Sequence, residues 1–246
     1  MKNFLSLIFL MAIAMMFSSC GRERASSEVL KEKLTDSRDG QSYKMVKIGN
    51  QIWMAENLNL EYNQGSAKSY CYQNDSAYCK KYGRLYTWSA AMDSASVYSK
   101  DGERCGYRRL CNHTENVRGI CPEGWHLPNE SELLTLLRSI GAVQDSKNET
   151  LWHGAGKALK STSGWLDEKG NNRSGSDAFN FSALPAGRYH DRLNAFDNEH
   201  LRASFWSSSE AYSRRSVFLI IPYFGNRAFI SACGKNVGVS VRCVKN

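Results

Sequence analysis

The sequence is poor in the features that mark several large classes of protein. It has only 4 prolines in 246 residues, while 42% of its residues are hydrophobic and 23% are charged. This mixture excludes a disordered chain, collagen and a coiled coil, and it fits one globular domain. The formal net charge is +8, yet the basic residues form no run of five and no nucleic-acid motif. We therefore expect a scattered basic surface and no nucleic-acid partner.

Motifs of catalytic and metal chemistry are also missing. The sequence contains no C-x-x-C pair and no H-x-x-x-H spacing, so it predicts neither a metal site nor a cofactor. A serine run at 207–209 lacks the G-x-S-x-G elbow that surrounds a nucleophilic serine. No catalytic residue is assigned, and the sequence favours a protein that is not an enzyme.

The N-terminus has the order of a bacterial export signal. Lys2 precedes an uncharged apolar stretch of 14 residues at 4–17, and two serines then lead to Cys20. A transmembrane helix needs about 20 apolar residues, so we interpret 1–19 as a signal peptide. The end of this stretch resembles a lipobox, which implies that Cys20 is acylated, for example with palmitate, and anchors an outer-membrane lipoprotein. The alternative is an ordinary signal peptide with Cys20 as a bystander.

The next segment differs from the rest of the chain. Residues 20–38 are highly charged and contain no aromatic side chain, which predicts a flexible tether at the membrane. Residues 39–246 then form the predicted domain, on the periplasmic face or at the cell surface.

Two local patterns inside the domain are specific. The runs 43–48 and 51–54 flank Gly49-Asn50, which is typical of a tight β-hairpin. The segment 129–141 begins with Asn129 and has Glu132 three residues later, as in a capping box, and apolar residues follow at helical spacing. The sequence therefore predicts an N-terminal hairpin and a central helix.

The remaining elements are shorter. Helices are predicted at 87–94 and about 150–161, and a polar loop at 167–177. Six short strands are predicted at 179–184, 187–190, 204–208, 217–221, 227–231 and 237–244. These elements indicate an α+β domain with two or three helices and a loop-rich, mostly antiparallel C-terminal half, in which the N-terminal hairpin meets the last strand.

Seven phrases carry a resemblance to a known family. They are IGNQIWMAENL (48–58), YGRLYTWSAAM (82–92), CPEGWHLP (121–128), STSGW (161–165), FSALPAG (181–187), FWSSSE (205–210) and SVRCV (240–244). In this order they resemble the Fibrobacter succinogenes major paralogous domain, a family of exported bacterial proteins of unestablished activity. The tryptophans in these phrases are expected to pack in the core or at its rim.

Two phrases also resemble a wider fold group. GWHLP and VRCV are similar to the C-type lectin-like and formylglycine-generating-enzyme group, which implies a C-type lectin-like domain. The enzymes of that group use two late cysteines that bind copper, whereas this chain offers Cys233 and Cys243 ten residues apart. The calcium-binding tripeptides of the lectins (EPN, QPD and WND) are absent. A divergent enzyme on this fold is the alternative hypothesis.

The cysteines outside the signal peptide suggest disulfides, because exported proteins are oxidised. With Cys20 acylated, short spacing favours Cys71–Cys79 and Cys105–Cys111, which leaves Cys121 to pair with Cys243 across a long loop. Cys233 is then unpaired. The competing arrangement joins Cys233 to Cys243 and leaves Cys121 free.

The remaining hypothesis is a non-catalytic binding module for polysaccharide or an envelope protein. Aromatic faces beside charged groups suit such partners, and the predicted C-terminal loops are rich in both. The candidate ligand-binding residues are Tyr189, His190, Asp191, Arg192, Tyr212, Arg214, Arg215, Tyr223 and Phe224. A purely structural envelope protein is the third possibility.

Overall fold

A computed structural model describes residues 25–111 and 116–246, so the predicted signal peptide and Cys20 lie outside the described residues. The fold is α+β, as predicted. Within the described ranges, the α-helices are α1 (Ser76–Tyr82), α2 (Trp88–Ala91), α3 (Glu130–Ser139) and α4 (Ala155–Leu159). Two short 3-10 turns lie at Tyr72–Asn74 and Asp191–Leu193. None of these helices has the length and apolar character that a membrane crossing requires.

The strands are short in the N-terminal half and long near the C-terminus. In chain order they are β1 (Ser27–Val29), β2 (Leu34–Thr35), β3 (Ser42–Tyr43), β4 (Met45–Ile48), β5 (Gln51–Met54), β6 (Asn63–Gln64), β7 (Ala67–Tyr70), β8 (Leu85–Tyr86), β9 (Trp125–His126), β10 (Val143–Gln144), β11 (Leu151–His153), β12 (Ala186–His190), β13 (Ala195–Glu199), β14 (Arg202–Tyr212), β15 (Arg215–Pro222), β16 (Arg227–Gly234) and β17 (Val244–Lys245).

Two five-stranded sheets organise the molecule. The first has the order β1-β4-β5-β17-β9, and the second has the order β10-β11-β16-β15-β14. The predicted hairpin is confirmed as β4–β5, and Val244 pairs with both Trp53 and His126, so the last strand joins the hairpin as expected. Helix α3 packs its leucines into a core shared with both sheets.

Helix α3 begins as its sequence predicts. The Asn129 side chain accepts from the backbone N–H of Glu132, and the Glu132 carboxylate accepts from the N–H of Asn129. This capping box satisfies two of the N–H groups that a helix start leaves without intrahelical partners. Leu133, Leu136 and Leu137 are fully buried.

The predicted tether is wrong over part of its length. Ser27–Val29 forms β1 and pairs with β4, and Leu34–Thr35 forms β2 and pairs with β3. The sheet edge supplies backbone partners for this charged segment, so it is ordered without burying much apolar surface. Regular structure therefore extends N-terminal of residue 39, at least to Ser27.

Three predicted elements differ in the structure. Of the helix at 150–161 only α4 remains, because Leu151–His153 joins the second sheet as β11 and Gly154 turns the chain with a φ of +89°. The strand at 179–184 is absent, since Asn180 and Ser182 have positive φ and Asp177 binds the N–H of Ser182. The strand at 237–244 is reduced to β17 and three isolated bridges to different partners.

The family-like phrases lie in the core and bond to one another. Trp88 Nε1 donates to the carbonyl of Ser207 at 2.8 Å, and Trp206 Nε1 donates to the carbonyl of Tyr86 at 2.7 Å. The five phrase tryptophans (Trp53, Trp88, Trp125, Trp165 and Trp206) are all buried, which confirms that they pack in the interior. The tryptophans of these phrases therefore contribute to the core of the fold and not to an exposed site.

Candidate ligand-binding clefts

A basic cleft of about 470 Å³ opens where three parts of the C-terminal half meet. Strand β12 and the turn after it supply Arg188, His190, Asp191 and Arg192, while the β14–β15 turn supplies the Arg214–Arg215 pair. The third wall is formed by the end of β16, which carries Cys233, and by the turn after it, which carries Asn236. We call this set of residues the arginine cleft.

Positive charge is in excess in the arginine cleft. Arg188 forms an ion pair with Asp197 at 2.8 Å, and this hydrogen bond raises the pKa of Arg188. Asp191 accepts a hydrogen bond from the side chain of Asn236. Arg192, Arg214 and Arg215 have no carboxylate at ion-pair distance among the described residues. Guanidinium groups can bind an anion through paired N–H donors.

His190 adds an unused polar atom to the same cleft. Its Nδ1 is buried and has no hydrogen-bond partner within the described part of the chain. Burying a polar atom without a hydrogen-bond partner costs free energy, because the atom gives up its hydrogen bonds to water. A ligand group that hydrogen-bonds to the atom offsets that cost.

Cys233 lies in the cleft as a neutral thiol. It has no disulfide partner among the described residues. Burial raises the pKa of this thiol to about 12, and the nearby charges of Arg202, Arg188 and Arg215 offset only part of that effect. The reactive form of cysteine is the thiolate, so Cys233 is not an activated nucleophile near neutral pH.

The structure contains the three disulfides favoured from spacing. Cys71 bonds to Cys79, Cys105 to Cys111, and Cys121 to Cys243 across 122 positions with a Cα–Cα distance of 5.9 Å. The competing Cys233–Cys243 pairing is therefore not formed. Since the Cys243 sulfur is bonded to Cys121, it is not available as the second thiol of a copper-binding pair with Cys233.

A second opening, the aromatic groove, lies at the β15–β16 turn. It has a volume of about 370 Å³, and Tyr223 and Phe224 form one wall. Their rings meet edge to face with centroids 5.3 Å apart. Polar side chains at its rim include Glu168, Asn198 and Arg202.

The nine candidate residues fall into four groups. His190, Asp191, Arg192, Arg214 and Arg215 come together in the arginine cleft. Tyr223 and Phe224 belong to the aromatic groove, and Tyr212 is 70% exposed outside both openings. Tyr189 is buried: it stacks on Tyr70 at 4.0 Å and donates to Asn194. Tyr189 therefore packs in the interior and lines neither opening.

Sequence reasoning missed Arg188, a main contributor to the arginine cleft. Alternation along a strand could have found it, because residues i and i+2 share a face. In β12, Arg188 and His190 point to the cleft while Tyr189 points to the core. Tyr107, Cys233 and Asn236 also line the cleft, and no local pattern indicates their convergence.

The described residues contain no group of three or more His, Cys, Asp or Glu side chains arranged to hold a metal ion. The side chains that line the arginine cleft offer charged and hydrogen-bonding groups.

Fold and clefts together define a disulfide-bonded α+β domain with a basic cleft on its C-terminal half. The sequence profile of the Fibrobacter succinogenes major domain matches residues 46–245, so the chain belongs to this family, whose function is unknown. No curated protein and no solved structure matches the chain.

Proposed function

We propose that this protein is a lipid-anchored cell-envelope binding module that recognises acidic polysaccharide without catalysis. The main support for this proposal is the arginine cleft, where Arg192, Arg214 and Arg215 lack carboxylate partners among the described residues. Carboxylate groups repeated along a uronic acid polymer suit such a cleft, because each guanidinium can donate two parallel hydrogen bonds to one carboxylate. Binding of this kind weakens as salt screens the charges.

The anchor and the fold group belong to the same proposal. An acyl chain on Cys20 holds the domain at the outer membrane, with seven residue steps between Cys20 and Ser27, the first residue of β1. Those steps span at most about 25 Å, so the domain works close to the lipid surface. The proposed C-type lectin-like fold supports a binding role by analogy only, since one fold serves many functions.

An envelope protein is the second candidate partner. Leu193 and Tyr212 are 69% and 70% exposed and lie close in sequence to the cleft arginines Arg192 and Arg214. Exposed tyrosine and arginine are enriched in protein interfaces.

The test is titration calorimetry with polygalacturonate against neutral dextran. Wild-type protein is expected to bind polygalacturonate, and the double variant R192E/R214E is expected to lose at least about tenfold in affinity. The control K33E/K147E changes the net charge equally at exposed positions outside the cleft. Failure of wild-type protein to bind, or an equal loss in the control, would overturn the polysaccharide proposal. Capture of one envelope protein, lost in R192E/R214E, would then favour the second candidate.

A further inference from the structure

The aromatic groove exposes ring surface that the fold holds in place. Phe224 is 48% exposed, and the backbone N–H of Tyr223 donates to the carbonyl of Leu201 at 2.7 Å. The carbonyl of Tyr223 accepts from Lys160 Nζ at 3.0 Å. Lys160 itself is buried over the Trp165 ring. The Tyr223 hydroxyl also donates to Glu168 at 3.5 Å. Tyr223 is therefore positioned before a ligand arrives, which lowers the entropy cost of binding.

The floor of the groove is apolar and its rim is polar. Strands β15 and β16 contribute Ile220, Pro222 and Phe229 to the floor. These residues share one face of the second sheet, since Ile220 pairs with Phe229 and Arg202 pairs with Pro222. Apolar and aromatic walls with a few placed polar groups are typical of small-ligand sites.

Arg202 gives the rim unused hydrogen-bond donors. Its Nε donates to Ser204 Oγ at 3.0 Å, and its guanidinium lies 5.5 Å from the Phe218 ring centroid. Its two Nη groups have no hydrogen-bond partner among the described residues. Glu168 and Asn198 add acceptors on the same rim.

We propose that the aromatic groove binds a neutral pyranose ring of a glycan chain. A pyranose ring presents C–H groups on its faces and hydroxyl groups around its edge. Tyr223 and Phe224 match the faces, and Arg202, Glu168 and Asn198 match the hydroxyls. A purely apolar occupant such as an acyl chain would instead leave the donors of Arg202 unpaired. The inference deepens the proposed polysaccharide binding but rests on residues separate from the arginine cleft.

The test uses uncharged hexasaccharides of β-glucan, xylan and mannan, titrated into the protein and followed by calorimetry. Wild-type protein is expected to bind at least one of them. F224A is expected to weaken that binding by about fivefold to tenfold, because one stacked ring is lost. Y223F keeps both rings and is expected to stay within about twofold. Thermal melting verifies that each variant is folded.

The arginine-cleft variant R192E/R214E separates the two proposals. It is expected to bind the neutral hexasaccharide as wild-type protein does, whereas F224A is expected to keep its polygalacturonate binding at the cleft. Lack of binding of all three neutral sugars to wild-type protein overturns the groove proposal and leaves the polygalacturonate result unaffected. The groove proposal is also overturned if F224A binds the neutral sugar as tightly as wild-type protein does. It is likewise overturned if the protein self-associates through the groove and F224A abolishes that association.

Discussion

The Nε2 atom of His126 lies 2.7 Å from Oε1 of Glu132, and the Nδ1 atom of the same ring lies 2.7 Å from Oδ1 of Asn246. One imidazole therefore joins the capping box of helix α3 to the end of the chain. Burial disfavours the charged ring, but the hydrogen bonds to Glu132 and Asn246 outweigh it and raise the pKa of His126.

This pair predicts a pH dependence of stability. Because the folded-state pKa is raised, the stabilisation is fully present below the unfolded value of about 6.5 and is lost as the pH rises through the folded pKa. H126Q is expected to unfold more easily than wild type by about 1.5 kcal/mol at pH 5.5. The difference should shrink toward pH 8, as measured by urea unfolding. A difference that does not change with pH would contradict a charged role for His126.

Lys160 predicts that the stability of the folded protein changes with pH in the opposite direction. It is 3% exposed and donates to the carbonyls of Arg173 and Tyr223. Burial, with a smaller contribution from the charge of Arg173, lowers its pKa to about 8. The unfolded chain then holds the extra proton, so wild-type stability is expected to rise from pH 7.5 to 9 by about 1 kcal/mol per pH unit. Urea unfolding of K160M should lack this rise, and an identical slope in both proteins would refute the assignment.

Arg242 is fully buried and ties three segments together. Its Nε donates to Asn57 Oδ1 at 2.7 Å, and its Nη groups donate to the carbonyls of Phe181 and Ser182. Replacement in R242M leaves these acceptors without donors, so we expect a loss of about 3 kcal/mol in the free energy of unfolding. The matched control R104M, at a side chain that is 81% exposed, should change it by less than about 0.5 kcal/mol. Equal effects would show that the buried bonds contribute little.

The disulfides predict unequal effects on stability. In the chain-entropy description, the Cys121–Cys243 bond closes a loop of 122 positions and contributes about 5 kcal/mol, whereas the Cys71–Cys79 bond, with a separation of 8, contributes about 2.5 kcal/mol. The double variant C121A/C243A should therefore lose about twice as much as C71A/C79A in urea unfolding. The reverse order would place most of the stabilisation in folded-state contacts rather than loop closure.

The proposed anchor predicts a change in partition. C20S removes the acylated thiol, so the protein is expected to move from the membrane to the soluble fraction on fractionation of cells that export it. The C233S variant is the control, because it removes a cysteine inside the domain and should stay with the membrane. Unchanged partition of C20S would refute the lipobox interpretation.

Local sequence patterns were sufficient where an element depends mainly on its neighbours in the chain. The β4–β5 hairpin needs the turn at Gly49, and helix α3 needs Asn129 and Glu132 at their short spacing. Composition and spacing also led to the α+β class and to the three cysteine pairs. The hairpin, the helix and the two short disulfides rest on contacts between residues that are near in sequence, whereas the structure decided between Cys121 and Cys233 as the partner of Cys243.

The other features depend on tertiary structure, because segments distant in the chain supply the strands and side chains that pair and pack with them. Ser27–Val29 forms a strand because the edge of β4 supplies its hydrogen-bond partners. Leu151–His153, which the sequence predicts to be helical, forms a strand because it pairs with β16. Tyr189 and Arg188 are adjacent in sequence, yet the pleat of β12 directs one to the core and the other to the arginine cleft. The order of residues along the chain fixes which aromatic and basic groups the C-terminal loops carry. The packing of β12, β15 and β16 determined which of them share an opening, since side chains converge only when the strands that carry them meet.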